Sequence, residues 1–123
     1  MATLPNILII LGDDHGYGDV SAHGGPHIQT PNMDRIASDG IRFTRFYANS
    51  SVCSPSRAAL MTGRFPDRVG VPGVIRTHAH NSWGSFSREA VTLPAMLKKK
   101  AYRTALIGKW HLGLDAFNHP CNR

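Results

Sequence analysis

The segment Asn6-Ile-Leu-Ile-Ile-Leu11, which runs into Gly12-Asp13-Asp14, is the part of the chain that decides the fold. Five consecutive apolar residues rich in isoleucine, confined between Pro5 and Gly12, are too few for a helix and are typical of a strand buried on both faces. We therefore predict a buried strand over 6–11 that opens into a polar loop. The two adjacent carboxylates in that loop would repel each other unless a cation or several hydrogen bonds compensated them. A solvated turn or a helix N-cap is the ordinary alternative.

Three short helices are predicted from capping residues and from proline at the first turn. They run from Thr30-Pro31 to Gly40, from Ser54-Pro55 to Gly63, and from Thr92-Leu-Pro94 through Lys98–Lys100. On the first of them Met33, Ile36 and Ala37 share one face, which makes the helix amphipathic. The second helix places Cys53 at its N-terminus.

Two further segments resemble strands: residues 41–47 continue the apolar pattern after the first helix, and the run 104–107 reads as another buried strand. Residues 70–81, with Pro72, Gly73 and two alternating histidines, are predicted to form a surface loop. The alternation of strands and helices indicates one α/β domain over 1–123 with a mostly parallel sheet. Ligands of such a sheet gather at the carboxyl ends of its strands.

The charge of the chain is basic and unevenly placed. With 14 Lys and Arg against 8 Asp and Glu, the 123 residues carry a net charge of +6, and no Lys or Arg precedes Arg35. Such an excess suits an anionic partner such as sulfate, phosphate or nucleic acid, although most surface Lys and Arg are simply solvated. A basic nucleic-acid-binding module is one alternative function. The chain lacks interleaved aromatic and basic residues, so we predict no nucleic-acid partner.

Cysteine content and hydropathy exclude other classes of protein. Cys53 and Cys121 are too few for a disulfide framework and have no zinc-ligand spacing. The apolar run 6–11 is far shorter than a membrane span, and no basic residue precedes it as in a signal peptide. From the sequence as written we expect a soluble, cytoplasmic chain without a membrane partner.

Four blocks of sequence carry a resemblance to a known family. Cys53-Ser-Pro-Ser-Arg57, continued by Ala58–Arg64, closely resembles the signature of the type I sulfatases. Asp13–Asp19, Thr30–Asp34 and Gly108–Gly113 are similar to further blocks of that family, in the same order. The resemblance implies an alkaline-phosphatase-like α/β fold with helices flanking the sheet, and hydrolysis of sulfate esters. Relatives of that kind are often exported.

The resemblance implies that Cys53 is a catalytic residue after a dedicated maturation enzyme oxidises it to formylglycine. The hydrated aldehyde has two hydroxyl groups: one can attack sulfur, and the second can then lose its proton and expel sulfate. By the same resemblance Arg57 would steady the hydrated aldehyde. Lys109 would be catalytic and would bind the sulfate group of the substrate, and His111 would hydrogen-bond the gem-diol and assist its deprotonation.

The resemblance also implies a metal ion. Asp13, Asp14 and residue 53 would ligate Ca²⁺, with Mg²⁺ as a possible substitute, and the ion would act as a Lewis acid on a sulfate oxygen. We predict that these ligands and the catalytic residues converge in one cleft at the carboxyl edge of the sheet.

Two features depart from the family. Ala101 stands where relatives usually have glycine after a helix, so a positive φ there would carry strain. Family members are several times longer, and the chain therefore resembles an incomplete N-terminal portion of a catalytic domain that would be inactive alone.

Hydrolysis of phosphonate monoesters or phosphodiesters is the enzymatic alternative, since relatives with that activity share the motif. Steroid, glycan and aryl sulfates all remain open as substrates.

Overall fold

The computed structural model describes residues 4–123, which divide into two compact units, residues 4–46 and Tyr47–Arg123. The α-helices are α1 (Pro31–Asp39) in the first unit and α2 (Cys53–Thr62) and α3 (Leu93–Lys98) in the second. Short 3₁₀ turns are present at Tyr17–Asp19, Ser21–His23, Pro66–Val69, Ala79–Asn81 and Pro120–Asn122. Within the described residues, no helix combines the length and the hydropathy needed to cross a membrane.

The first predicted helix is confirmed at both ends. Thr30 is the N-cap of α1 and Pro31 its first residue, where the missing N–H of proline costs nothing. At the other end the N–H of Gly40 donates to the carbonyl of Ile36 at 3.1 Å. The proline at the first position and the glycine at the C-cap mark the ends of this helix, while the Thr30 side chain donates to Asp34 instead of capping the backbone.

The other two helices differ slightly from their predicted bounds. Helix α2 begins at Cys53, one residue before the predicted start, and ends at Thr62. Its C-cap is Gly63, whose φ of 65° is the left-handed conformation that glycine tolerates. Helix α3 begins after Thr92, whose hydroxyl accepts a hydrogen bond from the N–H of Ala95 at 3.4 Å. Its helical residues end at Lys98, before the end of the lysine block.

The hydrophobic core of the second unit joins α2 to the segments that follow it. Phe86 and Trp110 meet edge to face, with ring centroids 6.2 Å apart. The other buried members of this cluster are Ala58, Val69, Val71, Ile75 and Leu112. The prediction that 70–81 form a surface loop is wrong for Val71 and Ile75, which are buried, whereas His78 and His80 are exposed as expected. The apolar residues of this irregular segment provide packing rather than a regular element.

The predicted strands are not observed in the part of the chain that the structure describes. Residues 6–11, 41–47 and 104–107 have no strand assignment there. The burial predicted for 6–11 and 104–107 is also wrong, since Ile10 is 77% and Ile107 98% exposed. A parallel strand needs neighbours on both edges for its backbone hydrogen bonds and on both faces for its side chains. The apolar pattern of these segments is present, but no sheet is formed among residues 4–123.

A hydrogen-bond network organises the first unit around the carboxylate of Asp34. Its Oδ2 accepts from the hydroxyl of Ser21 at 2.6 Å, and its Oδ1 accepts from the N–H of Ala22 at 2.8 Å and from the hydroxyl of Thr30 at 3.0 Å. The bond from Ser21, assisted by those from Thr30 and Ala22, lowers the pKa of Asp34 below its usual value. The ionised carboxylate thus ties the start of α1 to the preceding turn.

Candidate active site

The first residue of α2 is Cys53, and this helix terminus determines where its side chain lies. The preceding Val52 is the N-cap and has an extended backbone, with φ −126° and ψ 160°. Cys53 is half-buried and is not part of a disulfide. The side chain is therefore held at the start of a helix without being sealed from solvent.

The three residues between Cys53 and Arg57 anchor the helix to the rest of the second unit. Ser54 is fully buried, and its hydroxyl accepts a hydrogen bond from the N–H of Ile75 at 3.0 Å. Pro55 is buried as well, while the hydroxyl of Ser56 donates to the carbonyl of Ser50 at 2.7 Å. These contacts explain why small polar residues and a proline occupy the motif.

Lys109 contacts Cys53 in the structure, and Arg57 contacts Lys109. The ammonium nitrogen of Lys109 lies 3.5 Å from Sγ of Cys53, within the hydrogen-bonding distance of sulfur. One turn along α2, Nη1 of Arg57 donates to the backbone carbonyl of Lys109 at 2.7 Å. The three predicted residues therefore form one cluster, in which a lysine ammonium faces the cysteine sulfur and an arginine holds the backbone of that lysine.

His111 lies in a segment that alternates between exposed and buried side chains. Lys109 is exposed, Trp110 and Leu112 are buried, and His111 is half-buried between them. The φ of His111 is 56°, a left-handed conformation that non-glycine residues adopt at a cost of about 1–3 kcal/mol. Its Nδ1 is buried and has no hydrogen-bond partner within residues 4–123. The imidazole is therefore held in a strained loop with an unused polar atom.

Asn118 was not predicted from the sequence, yet its hydrogen bonds hold this loop in place. Its carbonyl accepts a hydrogen bond from Nε1 of Trp110 at 2.7 Å, in the buried core. Its side-chain Nδ2 donates to Oδ2 of Asp115 at 2.9 Å, and this bond lowers the pKa of Asp115. The spacing Asp115 to Asn118 is typical of a turn, but the contact with Trp110 depends on tertiary structure and leaves no sequence signal.

The two predicted metal ligands belong to the first unit. Asp13 and Asp14 are exposed and follow Gly12, which comes directly after residues 6–11. Asp14 has a φ of 54°, so it shares with His111 the left-handed backbone that is rare outside glycine. Within residues 4–123, no three His, Cys, Asp or Glu side chains are grouped so that they could hold a metal ion. Convergence of Asp13 and Asp14 with the other four candidates remains a prediction.

Comparison with known proteins gives consistent results. The family model described as Sulfatase matches residues 5–123. Arylsulfatase A of Bos taurus is 49% identical over 114 residues, which cover 92% of this chain and 22% of that protein. Steryl-sulfatase of Homo sapiens is 44% identical over 128 residues, which cover 97% of this chain and 22% of that protein. This chain thus spans about a fifth of the length of both relatives.

Solved structures agree with the sequence comparisons. The crystal structure of Ps i-CgsB in complex with k-i-k-neocarrahexaose matches 90% of this chain with a TM-score of 0.82 and 38% sequence identity, and the match covers 24% of that protein. The fold is therefore shared with longer proteins, and the cluster of Cys53, Arg57 and Lys109 lies inside the matched family region. On these grounds the chain belongs to the sulfatase family.

Proposed function

We propose that the protein hydrolyses sulfate esters, with residue 53 as the nucleophile. The observation that carries this proposal is the lysine ammonium 3.5 Å from the sulfur of Cys53, on a backbone that Arg57 holds at 2.7 Å. A positive charge beside a nucleophile suits an anionic ester, because it offsets repulsion and stabilises charge that develops in the transition state. Relatives named arylsulfatase A and steryl-sulfatase support the same chemistry.

Cys53 fits conversion to formylglycine by a separate maturation enzyme, which we propose as a partner. It is half-buried, is not disulfide-bonded and sits on a helix start that Ser54, Pro55 and Ser56 anchor. When present, the hydrated aldehyde supplies two hydroxyl groups on one carbon, one for attack on sulfur and one for release of sulfate. An oxygen in the place of Sγ would still lie near the ammonium of Lys109.

Each neighbouring residue then has a distinct part in the reaction. Lys109 would bind the sulfate group as a point charge with three donors. Arg57 donates to the backbone carbonyl of Lys109, so it would keep that lysine in place and would also steady residue 53. His111, whose buried Nδ1 lacks a partner in the described part of the chain, would accept or hold a proton from a hydroxyl of residue 53.

The donor chemistry of Asp13 and Asp14 fits a hard divalent cation. Both side chains are exposed carboxylates, and adjacent like charges gain from a cation between them. They would hold Ca²⁺, or Mg²⁺ in its place, and the cation would supply Lewis-acid polarisation of a sulfate oxygen when bound. Ca²⁺ takes about six to eight oxygens, so these residues would supply only part of the shell.

The first experiment tests residue 53 itself. After co-expression with a maturation enzyme, peptide mass spectrometry should show that Cys53 has lost about 18 Da, the change from a thiol to an aldehyde at the same carbon. Cys121→Ser is the matched control, because Cys121 is the other free cysteine and is exposed. An unmodified Cys53 after co-expression would contradict the proposed nucleophile.

The second experiment tests the reaction. In a matured, active protein, aryl sulfate and aryl phosphonate esters are assayed in parallel, and we expect turnover of the sulfate to dominate; preferred turnover of the phosphonate would contradict the proposal. His111→Ala should lower kcat by about 10²–10⁴, while Lys98→Ala, an exposed lysine on α3, should leave it unchanged.

A third comparison concerns the chain by itself. Because Asp13, Asp14 and residue 53 supply so few oxygens, we propose that residues 1–123 alone bind Ca²⁺ weakly and turn over little substrate, even with formylglycine installed. The assay sets residues 1–123 beside full-length arylsulfatase A at excess Ca²⁺. Comparable activity of the two would contradict this proposal and would require local residues to complete the site.

A further inference from the structure

A shallow cavity of about 520 Å³, open to the surface and lined by exposed residues, lies at the end of α2, away from the cluster around Cys53. Its walls are Asn49, Gly63, Arg64, Phe65 and Arg68. The chain turns sharply there because Gly63 adopts the left-handed conformation, and its N–H donates to the carbonyl of Ala59 at 2.8 Å. Asn49 precedes α2 in sequence yet reaches the opposite end of this helix. The cavity is therefore built by tertiary structure rather than by one continuous segment.

Two of the residues that line this cavity are arginines, Arg64 and Arg68. Neither Arg64 nor Arg68 takes part in a side-chain hydrogen bond or ion pair among residues 4–123, and Asp67 pairs with neither. Exposed arginines such as Arg76 and Arg103 likewise have no side-chain partner among residues 4–123, so what distinguishes Arg64 and Arg68 is that both line one cavity. Two like charges in one cavity repel unless an anion lies between them.

The other walls suit an anionic saccharide. The carboxamide of Asn49 can both donate and accept hydrogen bonds, as sugar hydroxyls require. Phe65 is 73% exposed and offers an apolar face. Guanidinium groups bind sulfate and carboxylate oxygens with two parallel hydrogen bonds, which gives orientation as well as affinity.

The length of α2 sets the distance from the reacting group. Its ten residues separate Cys53 from Gly63, which corresponds to about 15 Å along the helix axis. A singly charged aryl ester has no second charge to place in the cavity. An oligosaccharide with several charged groups extends far enough to occupy both places.

We propose that the cavity of Asn49, Arg64, Phe65 and Arg68 binds a second anionic group of the substrate, so that the substrate is a glycan carrying several sulfate or carboxylate groups. This inference rests on the proposed sulfate-ester hydrolysis for the first anionic group. It assigns the cavity to substrate selection, whereas Lys109 binds the group that reacts.

A binding experiment tests the cavity without requiring turnover. In the Cys53→Ala background, calorimetry measures the affinity for low-mass dextran sulfate. The double variant Arg64→Gln/Arg68→Gln should lose about tenfold or more in affinity, because hydrogen bonds to charged groups are lost. The control Arg76→Gln/Arg103→Gln removes the same charge from two exposed side chains elsewhere in the unit and should change affinity less than about twofold. Unchanged affinity in the first variant, or an equal loss in both, would overturn the proposal.

A kinetic experiment then tests whether the bound group belongs to the substrate. In a matured, active protein, Arg64→Gln/Arg68→Gln should raise KM for a multiply sulfated oligosaccharide and leave KM for an aryl sulfate unchanged. An equal rise for both substrates would overturn the assignment to a second group. If no sulfate ester is turned over at all, the proposed reaction fails, and the calorimetric result still decides whether the cavity binds the anion.

Discussion

The two units of this chain differ in how they are held together and in charge. The first unit carries three Lys and Arg against five Asp and Glu, whereas the second carries eleven against three. Nearly all buried apolar side chains belong to the second unit, and Val20 is the buried hydrophobic residue of the first among those described. Polar contacts around Asp34 take the place of a core there. Packing therefore dominates one unit and hydrogen bonding the other.

The candidate site residues are divided between the two units. Cys53, Arg57 and Lys109 lie on the packed unit, whose core includes Trp110 and Leu112 next to the site. Asp13 and Asp14 lie on the unit that depends on hydrogen bonds. A nucleophile and its cation need a rigid support, because small displacements cost much of the rate. The proposed metal ligands belong to the part of the chain with less packing to hold them.

The largest expected effect is on the stability of the second, packed unit. Phe86 is 1% exposed and meets Trp110 edge to face. Phe86→Ala should therefore reduce the free energy of unfolding of the second unit by about 3–5 kcal/mol, through lost burial and a cavity. Urea unfolding measures this, followed by the fluorescence of Trp83 and Trp110 for the second unit and by far-ultraviolet circular dichroism for the first. Phe43→Ala is the matched control in the first unit, where Phe43 is 69% exposed, and should cost less than about 0.5 kcal/mol. Equal costs would abolish the contrast between the units.

The helices could be predicted from the sequence because their signals are local. Thr30-Pro31 and Gly40 delimit α1 within ten residues, and the caps of α2 and α3 act over similar distances. The strands could not be predicted, because the apolar pattern of 6–11 describes what a strand would bury and says nothing of which segments would pair with it. Burial of Ile107 was predicted on the same ground and was wrong.

The site shows the same division between local and tertiary information. Resemblance to a family indicated Cys53, Arg57 and Lys109, and the structure brings these three together. The anchoring of Ser54 by Ile75 joins residues 21 positions apart, and no spacing rule reveals it. Asn118 escaped notice for the same reason, since its role depends on the packing of Trp110.

The second prediction concerns the hydrogen-bonded unit and its pH dependence. The folded pKa of Asp34 lies below its ordinary value of 3.8, so its carboxylate stabilises the folded state above that pH. This stabilisation is lost as the pH falls through the folded pKa. Asp34→Asn should therefore lower the midpoint of thermal unfolding of the first unit near pH 7, and the difference from the wild type should vanish well below pH 3.8.

Asp39→Asn provides the control for this titration. Asp39 lies on the same helix but is 66% exposed in its side chain and contacts Arg35 in an exposed pair, which contributes little. Its substitution should shift the midpoint less than Asp34→Asn. A pH-independent effect of Asp34→Asn would show that the loss comes from packing and not from the ionised carboxylate.

The smallest expected effect is a gain in stability when backbone strain at Ala101, just after α3, is relieved. Helix α3 ends in a motif where the N–H of Tyr102 donates to the carbonyl of Leu97 at 3.2 Å and that of Ala101 to Lys98 at 3.0 Å. This pattern places Ala101 in the left-handed conformation, with a φ of 63°. The sequence indicated strain at this position because relatives usually have glycine there. Alanine pays about 1–2 kcal/mol there for the approach of its Cβ to the following carbonyl.

Ala101→Gly should therefore increase the free energy of unfolding by about 1 kcal/mol, since part of the relief is offset by the greater entropy of glycine in the unfolded chain. Ala95→Gly is the opposite control, because Ala95 lies inside α3 and glycine in a helix costs about 1 kcal/mol. Urea unfolding of both variants gives the two signs directly. If both substitutions destabilise the protein, the left-handed conformation at Ala101 is not strained enough to favour glycine, and the prediction is wrong.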